Sequence, residues 1–205
     1  MLGPIDIRWF GGLGDASAGL CGGMSATVRD LFEGRVDPPP DVEPPANGTP
    51  RFKALVRRQV ETLDWMRVPL RFYDLSALRP SPPAWWSRLT RRRPIGQVTF
   101  DSEWPRIRAE IDAGRPAMIG LIRAASANPF RLTANHQVLG YGYRVQPPVV
   151  AVRLYDPNWP GRDDVEARLS IGPDEIRAES TTGEQLLGFF LAAYRSSDPA
   201  AWRSR

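Results

Sequence analysis

Residues 135–158 read "NHQVLGYGYRVQPPVVAVRLYDPN". Two strand-like runs, "HQVLGYGYRV" (136–145) and "VVAVRLYD" (149–156), flank a "QPP" link. Such a link is too short for a crossover, so the runs are expected to pair as an antiparallel hairpin. Side chains alternate between the two faces of a strand. His136, Val138 and Gly140 therefore share one face of the first run. Val152, Leu154 and Asp156 share one face of the second. In a hairpin the start of one strand lies beside the end of the other. An imidazole and a carboxylate are then expected side by side at one edge of the sheet.

Outward from the hairpin, "PAMIGLIRA" (116–124) is a continuous apolar run, as in a central strand. "DVEARLSI" (164–171) alternates at period 2, and "LLGFFLAAY" (186–194) reads as a closing strand. Upstream the period changes. From Cys21 to about Glu33, Met24, Val28, Leu31 and Phe32 mark one helical stripe, and Gly34 stops the helix. The proline-rich stretch 36–50 is a rigid connector. A second helix is expected over about 51–66, with Phe52, Leu55, Val56, Leu63 and Met66 inward. A third is capped by Asp101 or Ser102, carries Pro105 in its first turn, turns Trp104, Ile107 and Ile111 to one face, and ends at Gly114. The stretch 69–99, with "RPSPPAWWSRLTRRRP", is the least regular and reads as an insertion or lid. Helices in the first half and strands in the second predict one α+β domain over residues 1–205, helices packed on a mostly antiparallel sheet.

The chain holds 27 basic and 23 acidic residues, a net charge of +4. Lys53 is the only lysine, and the one dense basic cluster, "RLTRRR" (88–93), lies in the irregular stretch. No basic face is evident, so no nucleic-acid partner is expected. No apolar run reaches the length of a membrane span and no signal-peptide pattern opens the chain. A single cysteine forms no internal disulfide, which fits a reducing, cytoplasmic setting. The chain also fits a piece of a larger assembly. Nucleotide-binding glycine motifs are absent, and neither a cofactor nor a metal is expected. The loop "DPNWPGRDD" (156–164) is rich in carboxylates but lacks calcium-loop spacing, and reads as a solvated turn.

Cys21 and His136 are the chain's only cysteine and only histidine. Cys21 stands among glycines, in "GLCGGM" (19–24), at the start of a helix. The nucleophilic form of cysteine is the thiolate, and two devices favour it: a helix N-terminus and a neighbouring imidazolium. His136 supplies the second, and Asp156 orients it. Gly22 and Gly23 permit close approach of a substrate backbone, and the Cys21 N–H is an oxyanion donor. Cys21, His136 and Asp156 are thus candidate catalytic residues, with a peptide or protein as the expected substrate.

The order of "GLCGG" opening a helix, "NHQVLGYGY" opening a strand and "YDPN" closing the next resembles the papain-like cysteine peptidase superfamily. The likeness is greatest to the branch of bacteriocin-processing peptidase domains. The chain also resembles a group of bacterial and fungal proteins with "GLCGGM", "HQVLGYGY" and "YDPN" segments. The resemblance implies a papain-like fold, with Cys21 as nucleophile on the central helix, His136 as base and Asp156 as orienter. Asn158 is a second candidate orienter, because papain itself uses an asparagine. In one respect the chain departs from the pattern. The superfamily usually has a glutamine shortly before the cysteine, whose amide completes the oxyanion hole, whereas "GGLGDASAGL" (11–20) has none. Asp15 and Ser17 stand nearby; a carboxylate there repels an oxyanion, and a serine is short. Losing one such donor costs about 10²–10³ in rate. Trp85, Trp86, Gln137 and Trp159 are candidates for a substrate wall. The implied activity is peptide or amide hydrolysis. The alternatives are side-chain deamidation or transglutamination, and a catalytically impaired module that binds a peptide or protein.

Overall fold

The computed structural model describes residues 19–38, 43, 45–64, 67–78, 93–124 and 136–203. Its helices are α1 (Cys21–Glu33), α2 (Pro50–Thr62), α3 (Arg67–Ser76), α4 (Ile95–Val98), α5 (Trp104–Asp112) and the short α6 (Ala200–Arg203). Six strands follow α5: β1 (Ala117–Ile122), β2 (His136–Gln146), β3 (Val149–Tyr155), β4 (Glu166–Ile171), β5 (Ile176–Ser180) and β6 (Gly188–Leu191). They form one sheet in the order β5-β4-β3-β2-β1-β6, with every neighbouring pair antiparallel. The chain is therefore α+β, as the order of helical and strand periods predicts.

Alternation along the strands builds two cores. Val138, Ile119, Val152 and Leu154 face Trp104 and Ile107 of α5. Met118, Ile122, Leu139 and Phe190 face the other way, onto Ala26 of α1 and Val68, Phe72 and Leu75 of α3. The helices thus sandwich the central strands, and β2 is held from both sides.

The third helix starts earlier than its sequence suggests. Asp101 and Ser102 do not cap it; α4 runs through a π-helical turn, Thr99–Glu103, straight into α5. Asp101 instead accepts hydrogen bonds from Arg93 and Gln97. Pro105 offers no N–H to the carbonyl four residues back, and the wider turn takes up that break. This helical run closes the sheet. The Thr99 hydroxyl accepts the Phe189 N–H at 3.2 Å, and the buried Glu103 carboxylate accepts the Leu191 N–H at 3.1 Å. Gly96 lies against the carbonyl of Ile176 in β5. Both outer strands are thereby covered.

Other departures share a cause. The expected α1 stripe is only partly inward: Leu31 is buried, Met24 and Val28 are half-buried, and Phe32 is 57% exposed. The helix instead buries Gly22, Gly23, Ser25 and Ala26, and also Arg29 and Asp30. Asp30 accepts hydrogen bonds from Arg58 (2.9 Å) and the Tyr194 hydroxyl (2.7 Å), partners distant in sequence. Gly34 keeps a right-handed φ of −77°, and Arg35 takes the left-handed turn at φ 52°. The second helix stops at Thr62, and α3 occupies the start of the stretch read as irregular. Residues 79–92 of that stretch lie outside the described residues. β5, in "IRAES", is a strand the sequence reading does not include. No helix among the described residues is long and apolar enough to cross a membrane.

A methyl group on Gly96 would stand 1.9 Å from the Ile176 carbonyl oxygen, which is backbone and cannot rotate away. Gly96→Ala is expected to lower stability by about 1–3 kcal/mol, read as a lower urea midpoint with the denaturant slope unchanged.

Candidate active site

The hairpin sets the first contact. Leu139 pairs with Tyr155 and Gly140 with Leu154; then Gly142, not Tyr141, pairs with Arg153. Tyr141 is the extra residue of a β-bulge, and β2 changes phase across it. Val138 and Tyr143, an odd number of residues apart, both face the α5 side, whereas Val150, Val152 and Leu154 of β3 stay in step. Upstream of the bulge, this phase puts His136 on the face that Asp156 shares. The His136 Nε2 and Asp156 Oδ1 atoms are 2.6 Å apart, both side chains at most 5% exposed. Asn158 is exposed and contributes its backbone, donating its N–H to Asp156 Oδ1 at 2.9 Å. The Trp159 N–H bonds the Asp156 carbonyl at 2.9 Å. The turn after β3 is wrapped around this aspartate.

Cys21 arrives from the other side, on the first turn of α1. Glycines let the helix sit close. A Cβ on Gly22 would meet Gln137 Oε1 at 1.9 Å, and one on Gly23 would meet the Leu55 carbonyl at 2.4 Å. The Gly23 N–H donates to Gln59 Oε1 at 2.7 Å, and the Ser25 hydroxyl donates to the Gln137 carbonyl at 3.1 Å. The helix end is thus tied to the first residues of β2. The Cys21 thiol is half-buried and in hydrogen-bond contact with His136, with the backbone N–H groups of Gln137 and Gly22 also turned to the sulfur. Asp156 occupies Nε2, so Nδ1 is the ring nitrogen left for the thiol.

Burial alone pushes the Cys21 thiol up. The His136 hydrogen bond and charge, helped by the two N–H groups, outweigh it and hold the thiol below its ordinary value. Burial likewise works to lower His136. Its bonds to Asp156 and Cys21, and their charges, win and lift it from 6.5 to about 9. The two shifts oppose each other, as a thiolate–imidazolium pair requires.

Behind Asp156 stands a group that the sequence reading does not single out. Arg123, just past β1, places Nη2 3.7 Å from Asp156 Oδ2 and 2.7 Å from Glu184 Oε2. Glu184 also accepts from the Thr182 hydroxyl at 3.1 Å and the Trp159 indole at 3.4 Å. The only hint in sequence is an arginine ending an otherwise apolar strand.

The remaining candidates separate. Gln137 is no substrate wall: its side chain is 4% exposed, beneath α1, with Oε1 3.4 Å from Thr62 Oγ1. Trp159 packs against the α5-side core, with the Arg162 guanidinium 5.1 Å over its ring. The loop carboxylates do not converge: Asp156 faces His136, and Asp164 pairs with Arg162. Asp15, Ser17, Trp85 and Trp86 lie outside the described residues. Among the described residues no group of three or more potential metal ligands is found. No protein-family model, curated protein or solved structure matches the chain.

The ion pair is expected to persist from the lowered thiol pKa up to about pH 9, where His136 loses its proton. Iodoacetamide should alkylate Cys21 at pH 6 at least about tenfold faster than a free cysteine, whose pKa is about 8.5. His136→Ala should abolish that advantage; an unchanged rate would refute the pairing.

Proposed function

We propose that the chain is a thiol-dependent acyl-transfer enzyme of papain-like architecture, a cysteine peptidase or amidase. Cys21 is the nucleophile, His136 the acid and base, and Asp156 the orienter. The observation that carries this reading is the contact line from the Cys21 thiol through the His136 ring to Asp156 Oδ1, the last step 2.6 Å. Further support comes from the Cys-bearing helix packed on an antiparallel sheet that carries the other two groups.

The chemistry follows from the pair. The Cys21 thiolate attacks the carbonyl carbon of an amide, and the carbonyl electrons move onto oxygen. The Cys21 N–H, ahead of the first intrahelical bond, is an oxyanion donor there. As the tetrahedral adduct collapses, the C–N bond breaks and His136 gives its proton to the leaving amine. A thioester remains on Cys21. Neutral His136 then takes a proton from water, whose oxygen attacks the thioester. Collapse releases a carboxylic acid and restores thiolate and imidazolium. A side-chain carboxamide as acyl donor, or an amine in place of water, gives deamidation or transglutamination with the same residues. The substrate in this reading is a peptide or protein, and a reducing cytoplasm would keep Cys21 as a thiol.

One observation favours a second reading, a module that binds a peptide without cleaving it. No glutamine stands in residues 11–20, and the Gln137 amide is buried beneath α1.

A panel of fluorogenic peptide amides and activated acyl esters, read by fluorescence and by intact mass, separates the two. The enzyme reading expects an acyl adduct on Cys21, none in Cys21→Ser, and turnover reduced by orders of magnitude in Asp156→Asn but far less in Asn158→Ala. Binding of peptides with no adduct under any condition would favour the module.

A further inference from the structure

The charge on the far side of Asp156 belongs to neither the nucleophile nor its base. Asp156 has two carboxylate oxygens. Oδ1 takes the His136 ring and the Asn158 N–H, while Oδ2 faces Arg123 at 3.7 Å. Arg123 is bound more tightly to Glu184, at 2.7 Å, and its side chain is 17% exposed. Glu184 is itself braced by Thr182 and Trp159. The arginine is therefore drawn toward Glu184 and touches Asp156 chiefly through its field.

We infer that Arg123, braced by Glu184, is a positioning residue that fixes the Asp156 carboxylate and sets how strongly Asp156 supports the imidazolium. The inference rests on reading Cys21 as an activated thiol, and it does not require hydrolysis. Its sign follows from charge. A cation beside Asp156 offsets part of the negative potential at His136. Glu184 in turn offsets part of the cation. Removing Arg123 strengthens the pull of Asp156 on the imidazolium and so carries the ion pair to higher pH. Removing the Glu184 charge releases the full field of Arg123 onto Asp156 and ends the ion pair at lower pH. Among the described residues, the other ionisable groups shown to interact with His136 or Asp156 are Cys21 from α1 and Tyr155 from the end of β3. The Tyr155 phenol is pushed up by burial and by the Asp156 charge, and so stays neutral near pH 7.

Two variants test this without a substrate. The full chain is prepared as wild type, Glu184→Gln and Arg123→Gln, with circular dichroism to establish that each is folded. The His136 titration is read from its imidazole NMR signals across pH, and the Cys21 titration from iodoacetamide rates. Glu184→Gln, nearly isosteric, should lower the upper, imidazolium pKa by about half to one unit, and Arg123→Gln should raise it by a similar amount. Opposite signs are the signature, because a purely structural role would move both variants the same way. Shifts of the same sign, or none in either, overturn the inference while leaving the activated thiol intact. A wild-type thiol that titrates like free cysteine overturns both. Absent turnover with opposite shifts refutes hydrolysis alone and supports the role of Arg123.

Discussion

A strand reverses its side chain at every residue, so the phase between β2 and β3 decides which groups can meet. Beyond the bulge the pairing is Gly142 with Arg153 and Tyr143 with Val152. Carried straight back, that register would set Asp156 opposite Leu139, on the face opposite His136. The extra residue, Tyr141, shifts β2 by one and returns Asp156 to the face of Val138 and His136. Bulges beside sites commonly re-aim a side chain. Here a single inserted residue keeps the distal hairpin in phase with the α5-side core while the proximal end brings an imidazole to a carboxylate.

The thiol depends on a different constraint, the distance between a helix and a sheet. Larger residues than Gly22 and Gly23 would lift α1 off Gln137 and Leu55, and Cys21 with it. The glycines are read from sequence as room for a substrate. Their observed role is room for the protein's own side chains and backbone. A glycine's freedom is used here inside the fold, and the site inherits its accuracy from packing.

Sequence periodicity carried much of this architecture because it reports local geometry. The hairpin, the bounds of α1 and the two other long strand runs follow from alternation at 2 or 3.6, whereas the meeting of His136 with Asp156 also needs the bulge at Tyr141, which alternation does not reveal. The failures lie where long-range partners override local pattern. Arg29 and Asp30 look solvent-facing on α1, yet Arg58, Glu110 and Tyr194 bury them. Asp101 and Ser102 look like caps, but a helix already runs through them because Thr99 and Glu103 are recruited to β6. β5 alternates Ile176 and Ala178 inward with Arg177 and Glu179 outward, but five residues with one large apolar side chain are too brief a pattern to stand out. Arg123 and Glu184 stand 61 residues apart, and nothing local couples them.

With Cys21 and His136 in their charged forms, the site is a line of alternating charge: thiolate, imidazolium, carboxylate, guanidinium, carboxylate. A buried ion without a counterpart costs several kcal/mol, and burial is deepest in the middle of the line, at His136 and Asp156. Each interior ion has an opposite charge on both sides, so the deepest members are the best compensated. Glu184, at the outer end, retains 34% side-chain exposure and is completed by its hydroxyl and indole donors. Cys21 ends the line on the other side. It has one ionic neighbour and two backbone N–H groups against its own desolvation. The least compensated charge is thus the sulfur, the softest and most nucleophilic atom of the five. An anion held by partners on all sides would be stable and inert. One held from a single side, at a helix end, is the member of the line that the fold compensates least.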